Sequence, residues 1–194
     1  MDVNCVKVRD RLFYKVRWYR VNRPYIYRIF LLGGIMERSF YKISFEQFKK
    51  DIEDNKELYE NYKMPARKTK ASAGYDFHAI KDIELEPGEI KKIPTGIKAY
   101  YPSDEVLLLF IRSSMGFKYN VRMCNQVGII DSDFYNNIDN EGHMWFALQN
   151  EGSKKVTIKA GEAFGQGVFV KYLTCGEEVD NERTGWTGKP DKED

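Results

Sequence analysis

At 194 residues, with 42% hydrophobic and 31% charged side chains, the chain is long enough for one good-sized core and a small second unit. No apolar run approaches the roughly 20 residues of a membrane span, which argues against a membrane-spanning role. The net charge of +2 hides a split: residues 1–50 carry 12 Lys and Arg against 4 Asp and Glu, a balance of +8 that leaves −6 on the remainder, as in two units with different surfaces.

In chain order, the first 62 residues read as a small, basic, β-rich extension closed by a helix. Residues 13–21 alternate aromatic or aliphatic side chains with Lys and Arg, the pattern of a half-exposed strand. Asn22-Arg23-Pro24 signals a turn, residues 25–32 a second strand, and Gly33-Gly34 a break. Residues 39–44 form a third strand, open to assignment either to the extension or to the following domain. Ser44 then caps a helix, with Gln47 three residues on as in a capping box. Phe45, Phe48, Ile52, Leu58 and Tyr59 supply its apolar stripe as far as residues 61–63, ahead of Met64-Pro65.

From residue 63 to 194 the pattern is different. Short strands are expected over 75–80, 83–85, 90–93, 97–101, 106–111, 127–130, 144–148, 156–158 and 167–172. Pro87-Gly88, Pro94-Thr95-Gly96 and Ala160-Gly161 separate several of them. Short strands with regular turn signals and no helices between them predict an all-β sandwich or barrel.

Cys5, Cys124 and Cys175 are widely spaced and odd in number. They form neither a disulfide framework nor a CxxC pair, and residues 1–5 lack the basic start and apolar core of a secretion signal, so a reducing cytoplasm is the expected setting. His78 and His143 have no His or Cys neighbour at ligand spacing, and a structural or surface role is expected for each rather than a zinc site.

The most informative stretch is residues 125–135. Ile129 and Ile130 run into Asp131, with Gly128 before them and Phe134 and Tyr135 after: a strand, a turn presenting a carboxylate, and a ring beside it. Arg112-Ser113-Ser114 upstream and the segments 161–166 and 183–188 downstream add cations, hydroxyls, an amide and flexible backbone, which is equipment for holding a polyphosphate. Each segment alone has a plainer reading. Asp131 fits a turn aspartate, Arg112-Ser113-Ser114 a surface turn, Gly161-Glu162 a hairpin opening, and Gln166 an exposed strand residue.

Order and spacing carry more weight than any one segment. Ala73-Gly74-Tyr75-Asp76, then Arg112-Ser113-Ser114, then Asn125…Gly128-x-Ile130-Asp131, then Gly161-Glu162…Gln166-x-Val168, then an Arg183 tail rich in Gly resemble the ordered motifs of the trimeric dUTP diphosphatases (dUTPases), in a bacterial or phage-type variant, across residues 64–188. The resemblance implies an all-β subunit of jelly-roll (β-clip) type, a homotrimer with active sites between subunits, and Mg2+-assisted hydrolysis of dUTP to dUMP and pyrophosphate. It implies Asp131 as the residue that activates the attacking water. Asn125, with the backbone at Gly128 and Ile130, would read the uracil edge, and Phe134 would pack on the deoxyribose. Arg112, Ser113 and Ser114 would hold the phosphates, Gln166 would contact a phosphate near the scissile bond, and Arg183 would reach the terminal phosphate. Trp186 would lie over the base, and Asp76 would support metal-bound water.

Three departures from the family pattern stand out: Phe134 where a Tyr is usual, Ala163 where an Arg is usual, and a short final motif in which Trp186 replaces a Phe or Tyr. Two rivals remain at this stage. A dCTP deaminase shares the fold, but its extra catalytic glutamate motif has no match after Arg112-Ser113-Ser114. A dUTPase-like binding or regulatory protein with weak turnover would show nucleotide binding without pyrophosphate release. For the basic extension, interleaved Arg and aromatic residues (Phe13, Arg17, Trp18, Arg20, Tyr25, Arg28) suit nucleic-acid binding or a protein partner; a small sheet with one packed and one basic solvated face is the simpler expectation.

Overall fold

The computed structural model describes residues 38–176 together with two strands near the N-terminus, Asn4–Lys7 (β1) and Phe13–Val16 (β2). Contacts divide the chain into Met1–Glu37 and Arg38–Asp194. In the first unit β1 and β2 run antiparallel, with Asn4 opposite Val16 and Lys7 opposite Phe13. The strand expected from Phe13 begins there; the one expected over 25–32 lies outside the described residues.

The second unit starts well before the boundary expected at 62/63. Residues 38–62 belong to it for two reasons. Ser39–Lys42 (β3) pairs antiparallel with Ile97–Tyr100 (β7), Phe40 facing Ala99. Ile43, Phe48 and Tyr62 are buried in the same core as the later strands. The Phe48 and Tyr62 rings stack at 5.6 Å and 8°, and the Tyr62 hydroxyl donates to the Gly96 carbonyl at 2.7 Å. Each such buried ring contributes about 1.5–3 kcal/mol, which fixes this segment to the unit.

The single helix expected from Ser44 is two: Phe45–Asp51 (α1) and Lys56–Asn61 (α2). Ser44 does cap α1, accepting from the Gln47 amide at 3.1 Å. Asn55 then acts as a second cap, accepting from the Leu58 amide at 2.9 Å, and so starts a second helix. The reciprocal half of the capping box is replaced too. Gln47 donates its side-chain amide to Asp51 at 2.7 Å, and the Ser44 amide donates to Glu141 at 2.9 Å instead.

The β-strands of the second unit follow the expected order. Tyr75–His78 (β4), Ile83–Leu85 (β5), Ile90–Pro94 (β6), Glu105–Ile111 (β8), Val121–Met123 (β9), Gly128–Ile130 (β10), Trp145–Asn150 (β11), Val156–Ile158 (β12) and Ala163–Lys171 (β13) join β3 and β7. They form antiparallel sheets in the orders β10-β8-β13-β4, β6-β11-β9, β12-β5 and β3-β7. Strand β9 and the helix Ser113–Tyr119 (α3) were not expected from the sequence. The two larger sheets meet face to face through aromatic rings. Phe146 of β11 lies 5.5 Å from Phe77 of β4 and 5.1 Å from Phe164 of β13, and Leu107, Leu109 and Leu148 fill the space between. Antiparallel sheets facing one another across one core are the layout of a jelly roll.

Strand β13 begins at Ala163, four positions before the expected start. Gly165 sits mid-strand, where a Cβ would lie 2.5 Å from the Phe146 ring. Close packing, not a turn, requires that glycine. Among the described residues no helix is long and apolar enough to cross a membrane.

Candidate active site

The site grows from the link between β9 and β10. Strand β9 pairs with β11 and β10 with β8, so residues 124–127 carry the chain from one sheet to the other. A tight turn makes the crossing: Gln126 takes φ +61°, its amide bonds the Met123 carbonyl at 3.2 Å, and the Val127 amide bonds the Asn125 carbonyl at 2.6 Å. Gly128 then pairs with Leu109 and Ile130 with Leu107. The Ile130 carbonyl accepts from the Tyr101 hydroxyl at 2.5 Å, which pins the strand end immediately before Asp131. There the chain turns into a short 3-10 helix, Ser132–Phe134, with the Phe134 amide on the Asp131 carbonyl at 3.1 Å. Asp131 is exposed, and Phe134 is 9% exposed beside it.

Asn125, Gly128, Ile130 and Phe134 line one cleft of about 500 Å³. Its other wall was not foreseen: Lys92 from β6, Trp145 and Ala147 from β11, Leu109 from β8, and Asn140, His143 and Met144 from the loop after Phe134. Strand alternation puts Trp145 and Ala147 on one face of β11, and Lys92 is the register partner of Ala147. Only the pairing register brings these residues to one wall, so the sequence alone carried no signal for it.

A second group of the expected residues gathers on other strands. Gln166 of β13 is paired with Asp76 of β4 on one side and Phe110 of β8 on the other. At the end of β8, the Arg112 Nε lies 3.2 Å from the Asp76 carboxylate, while its amide bonds the Phe164 carbonyl at 2.9 Å. Arg112 is the N-cap of α3, which no side chain caps, and Ser113 and Ser114 are exposed in its first turn. Asp76, Arg112 and Gln166 do not line the cleft described above. Arg183 and Trp186 lie outside the described residues.

The loop from Phe134 to Met144 is held by its own amides. Asn137 is buried and donates to the Phe134 carbonyl and to Asn140 Oδ1, both at 2.9 Å. Asn140 in turn donates to the His143 carbonyl at 3.2 Å and accepts from the Gly142 amide at 3.0 Å. Burial works against the charge of Glu141, but the Ser44 hydroxyl and amide, with Lys98 at 3.0 Å, hold its carboxyl below the usual range. His143 has a structural setting: its imidazole is 1% exposed and hydrogen bonded on both nitrogens. Burial pushes its pKa down, against the pull of Asp51 and Glu141. Burial also lowers the pKa of His78, with Lys63 and Arg112 adding to the effect and Asp76 opposing it.

Among the described residues no three His, Cys, Asp or Glu side chains gather as a metal cage. A Mg2+ ion needs no such cage, because it keeps several waters and is bound through one or two carboxylates together with substrate phosphates. Asp76, with its carboxylate 3.2 Å from the Arg112 Nε, is one carboxylate in this second group.

An exposed carboxylate one residue beyond a strand that lines a cleft, with arginine, serine hydroxyls and an amide on neighbouring strands of a jelly roll, fits a hydrolase acting on a nucleotide. Comparison with known proteins narrows the class. The profile of the family described as dUTPase matches residues 60–190. The deoxyuridine 5'-triphosphate nucleotidohydrolase of Lactococcus lactis is 45% identical over 125 residues, 64% of this chain and 83% of the relative. The protein of the same name from Serratia proteamaculans is 33% identical over 135 residues, 66% and 85% of the two chains. Among solved structures, the dUTPase from Streptococcus mutans superposes with a TM-score of 0.56 at 41% identity, over 60% of this chain and 94% of that one. The dUTPase from phage phi11 of S. aureus shares the fold at a TM-score of 0.56 and 21% identity, over 74% and 96%. The chain belongs to the dUTPase family.

Proposed function

We propose that the chain hydrolyses dUTP to dUMP and pyrophosphate, with the base and sugar in the cleft between Asn125 and Phe134 and the attacking water at Asp131. The observation that supports this reading is the convergence of Asn125, Gly128, Ile130 and Phe134 on one cleft, with the exposed Asp131 next in the chain after Ile130. A turn that offers backbone N–H and C=O to a base edge accepts uracil and rejects cytosine, whose edge reverses donor and acceptor. Phe134 can pack on the deoxyribose as a Tyr would and leave no room for a 2′-hydroxyl.

In the reaction the water oxygen forms a bond to the α-phosphorus, the bridging bond to the β-phosphate breaks, and pyrophosphate leaves. Water has a pKa of ~15.7 and an ordinary Asp one of ~3.9, so full prior deprotonation would cost roughly 16 kcal/mol. Asp131 therefore orients the water and takes its proton as the new bond forms. The rest of the barrier is lowered by positioning and by charge on the phosphates, from Arg112, the Ser113 and Ser114 hydroxyls, Gln166 and Arg183, while Trp186 covers the base. Asp76 is the residue that would help hold a Mg2+ ion, which would supply positive charge to offset that of the phosphates. Since the Arg112 group does not line the cleft of its own chain, a site completed between subunits of a homotrimer fits the layout. A cytoplasmic setting suits a nucleotide substrate of this kind.

Stripping divalent metal with EDTA should lower dUTP turnover by about 10²-fold or more, as expected for several kcal/mol of phosphate stabilisation. Added Mg2+ should restore it. Turnover that survives chelation unchanged would remove Mg2+ and Asp76 from the scheme.

A further inference from the structure

Helix α1 lies upstream of the segment that matches the family profile, residues 60–190. Both of its ends are nevertheless tied to the loop that follows Asp131. At the start, the Ser44 amide donates to Glu141 at 2.9 Å and the Ser44 hydroxyl donates to the same carboxylate. At the end, Asp51 meets His143 Nδ1 at 2.6 Å. The other ring nitrogen, Nε2, accepts the Gly96 amide at 2.8 Å. An amide N–H can only donate, so Nε2 carries the lone pair and Nδ1 carries the proton that Asp51 receives.

The two ties straddle Gly142, and the Asn137–Asn140 network carries them back to the Phe134 carbonyl, three residues from Asp131. His143 and Asn140 also line the cleft. We propose that α1 is a positioning element of the active site, acting through Asp51–His143 and Ser44–Glu141 to hold Phe134 and Asp131 in working alignment. None of these four side chains needs to touch substrate for this. The inference rests on the functional reading above.

Because His143 must stay neutral to accept from Gly96, alignment is also lost in acid. The charged groups around the ring are Asp51 from α1 and Glu141 from its own loop, with Lys98 of β7 on Glu141 and Lys92 of β6 across the cleft. Its folded pKa lies below the ordinary 6.5. The contribution of the tie is therefore complete above about pH 6.5 and lost as pH falls through the depressed folded value.

The test is steady-state kinetics of pyrophosphate release from dUTP across pH 5–9 with the full chain, beside binding of a non-hydrolysable dUTP analogue. Asp51→Ala should lower kcat about tenfold while analogue affinity changes less than about threefold. Asp51→Asn, whose amide oxygen still accepts from Nδ1, should recover most of that loss. Ser44→Ala, at an exposed cap, should cost about two- to threefold. In the wild type an acid limb in kcat should appear below about pH 6.5, and His143→Asn should shift or remove it. If folded Asp51→Ala and Ser44→Ala keep wild-type kcat and pH profile, the proposal is overturned. Should Asp51→Ala fail to fold, an unchanged kcat and acid limb in Ser44→Ala and His143→Asn overturns it equally. A wild type that releases no pyrophosphate from dUTP defeats the functional reading instead, a result distinct from any of these.

Discussion

Asp131→Asn should reduce turnover of dUTP by about 10²–10⁴-fold, the range that a positioned general base contributes, with KM changed by no more than a few-fold. The amide has nearly the shape of the carboxylate and cannot take the proton, so ground-state binding survives while the step itself slows. Asp131 is exposed, and its side chain does not cap the short 3-10 helix that follows. A parallel rise in KM with unchanged kcat would instead mark Asp131 as a binding residue.

Gly142→Ala should be the most damaging single-methyl change near the site. Gly142 has φ +81°, and a Cβ there would stand 2.5 Å from the Phe134 carbonyl oxygen and 3.0 Å from Tyr135 Cα, both backbone atoms with nowhere to retreat. Strain from the backbone angle alone is about 1–3 kcal/mol, and the clash adds to it. A loss of about 3 kcal/mol or more would lower Tm by roughly 6–12 °C in a chain of this size. KM for dUTP should rise in the same variant, since the displaced carbonyl belongs to the residue packed at the cleft. Gly88→Ala supplies the comparison: Gly88 has a similar φ of +79° with nothing within 4 Å of a Cβ, so it should show the strain without the clash and leave KM alone. Equal losses in the two variants would mean that the Phe134 contact contributes nothing.

What could be read from the chain, and what could not, follows from how local each signal is. The strands Ile83–Leu85 and Val156–Ile158 appear where alternation placed them, because burial in these short runs follows the two-residue period. The short strand that lines the cleft was legible too, with Gly128 at its start and the turn at Asp131 after its end. Helix α3 was not, since Arg112-Ser113-Ser114 reads equally as a turn and its single buried side chain, Met115, gives no stripe. The role of Gly165, in the first part of β13 that was not expected, is set by Phe146 from another strand and has no local signal. Residues 38–62 were grouped with the extension on charge, whereas β-pairing to β7 and burial of Phe48 bind them to the main core. Of the site, the residue types were visible in order, but the wall formed by Lys92, Trp145 and His143 depends on strand register and a loop network that no local pattern encodes. The ties from Ser44 and Asp51 span 97 and 92 residues of chain, and only the folded molecule reveals them.

The central claim is that this chain selects and hydrolyses dUTP, and pyrophosphate release measured with dUTP, dCTP, dTTP and UTP in Mg2+ tests it most directly. The account predicts rapid release from dUTP and release at least about 10²-fold slower from the other three, the discrimination that unpaired buried polar groups and a closed sugar pocket provide. Comparable rates on all four nucleotides, or ammonia from dCTP in place of pyrophosphate from dUTP, would contradict it.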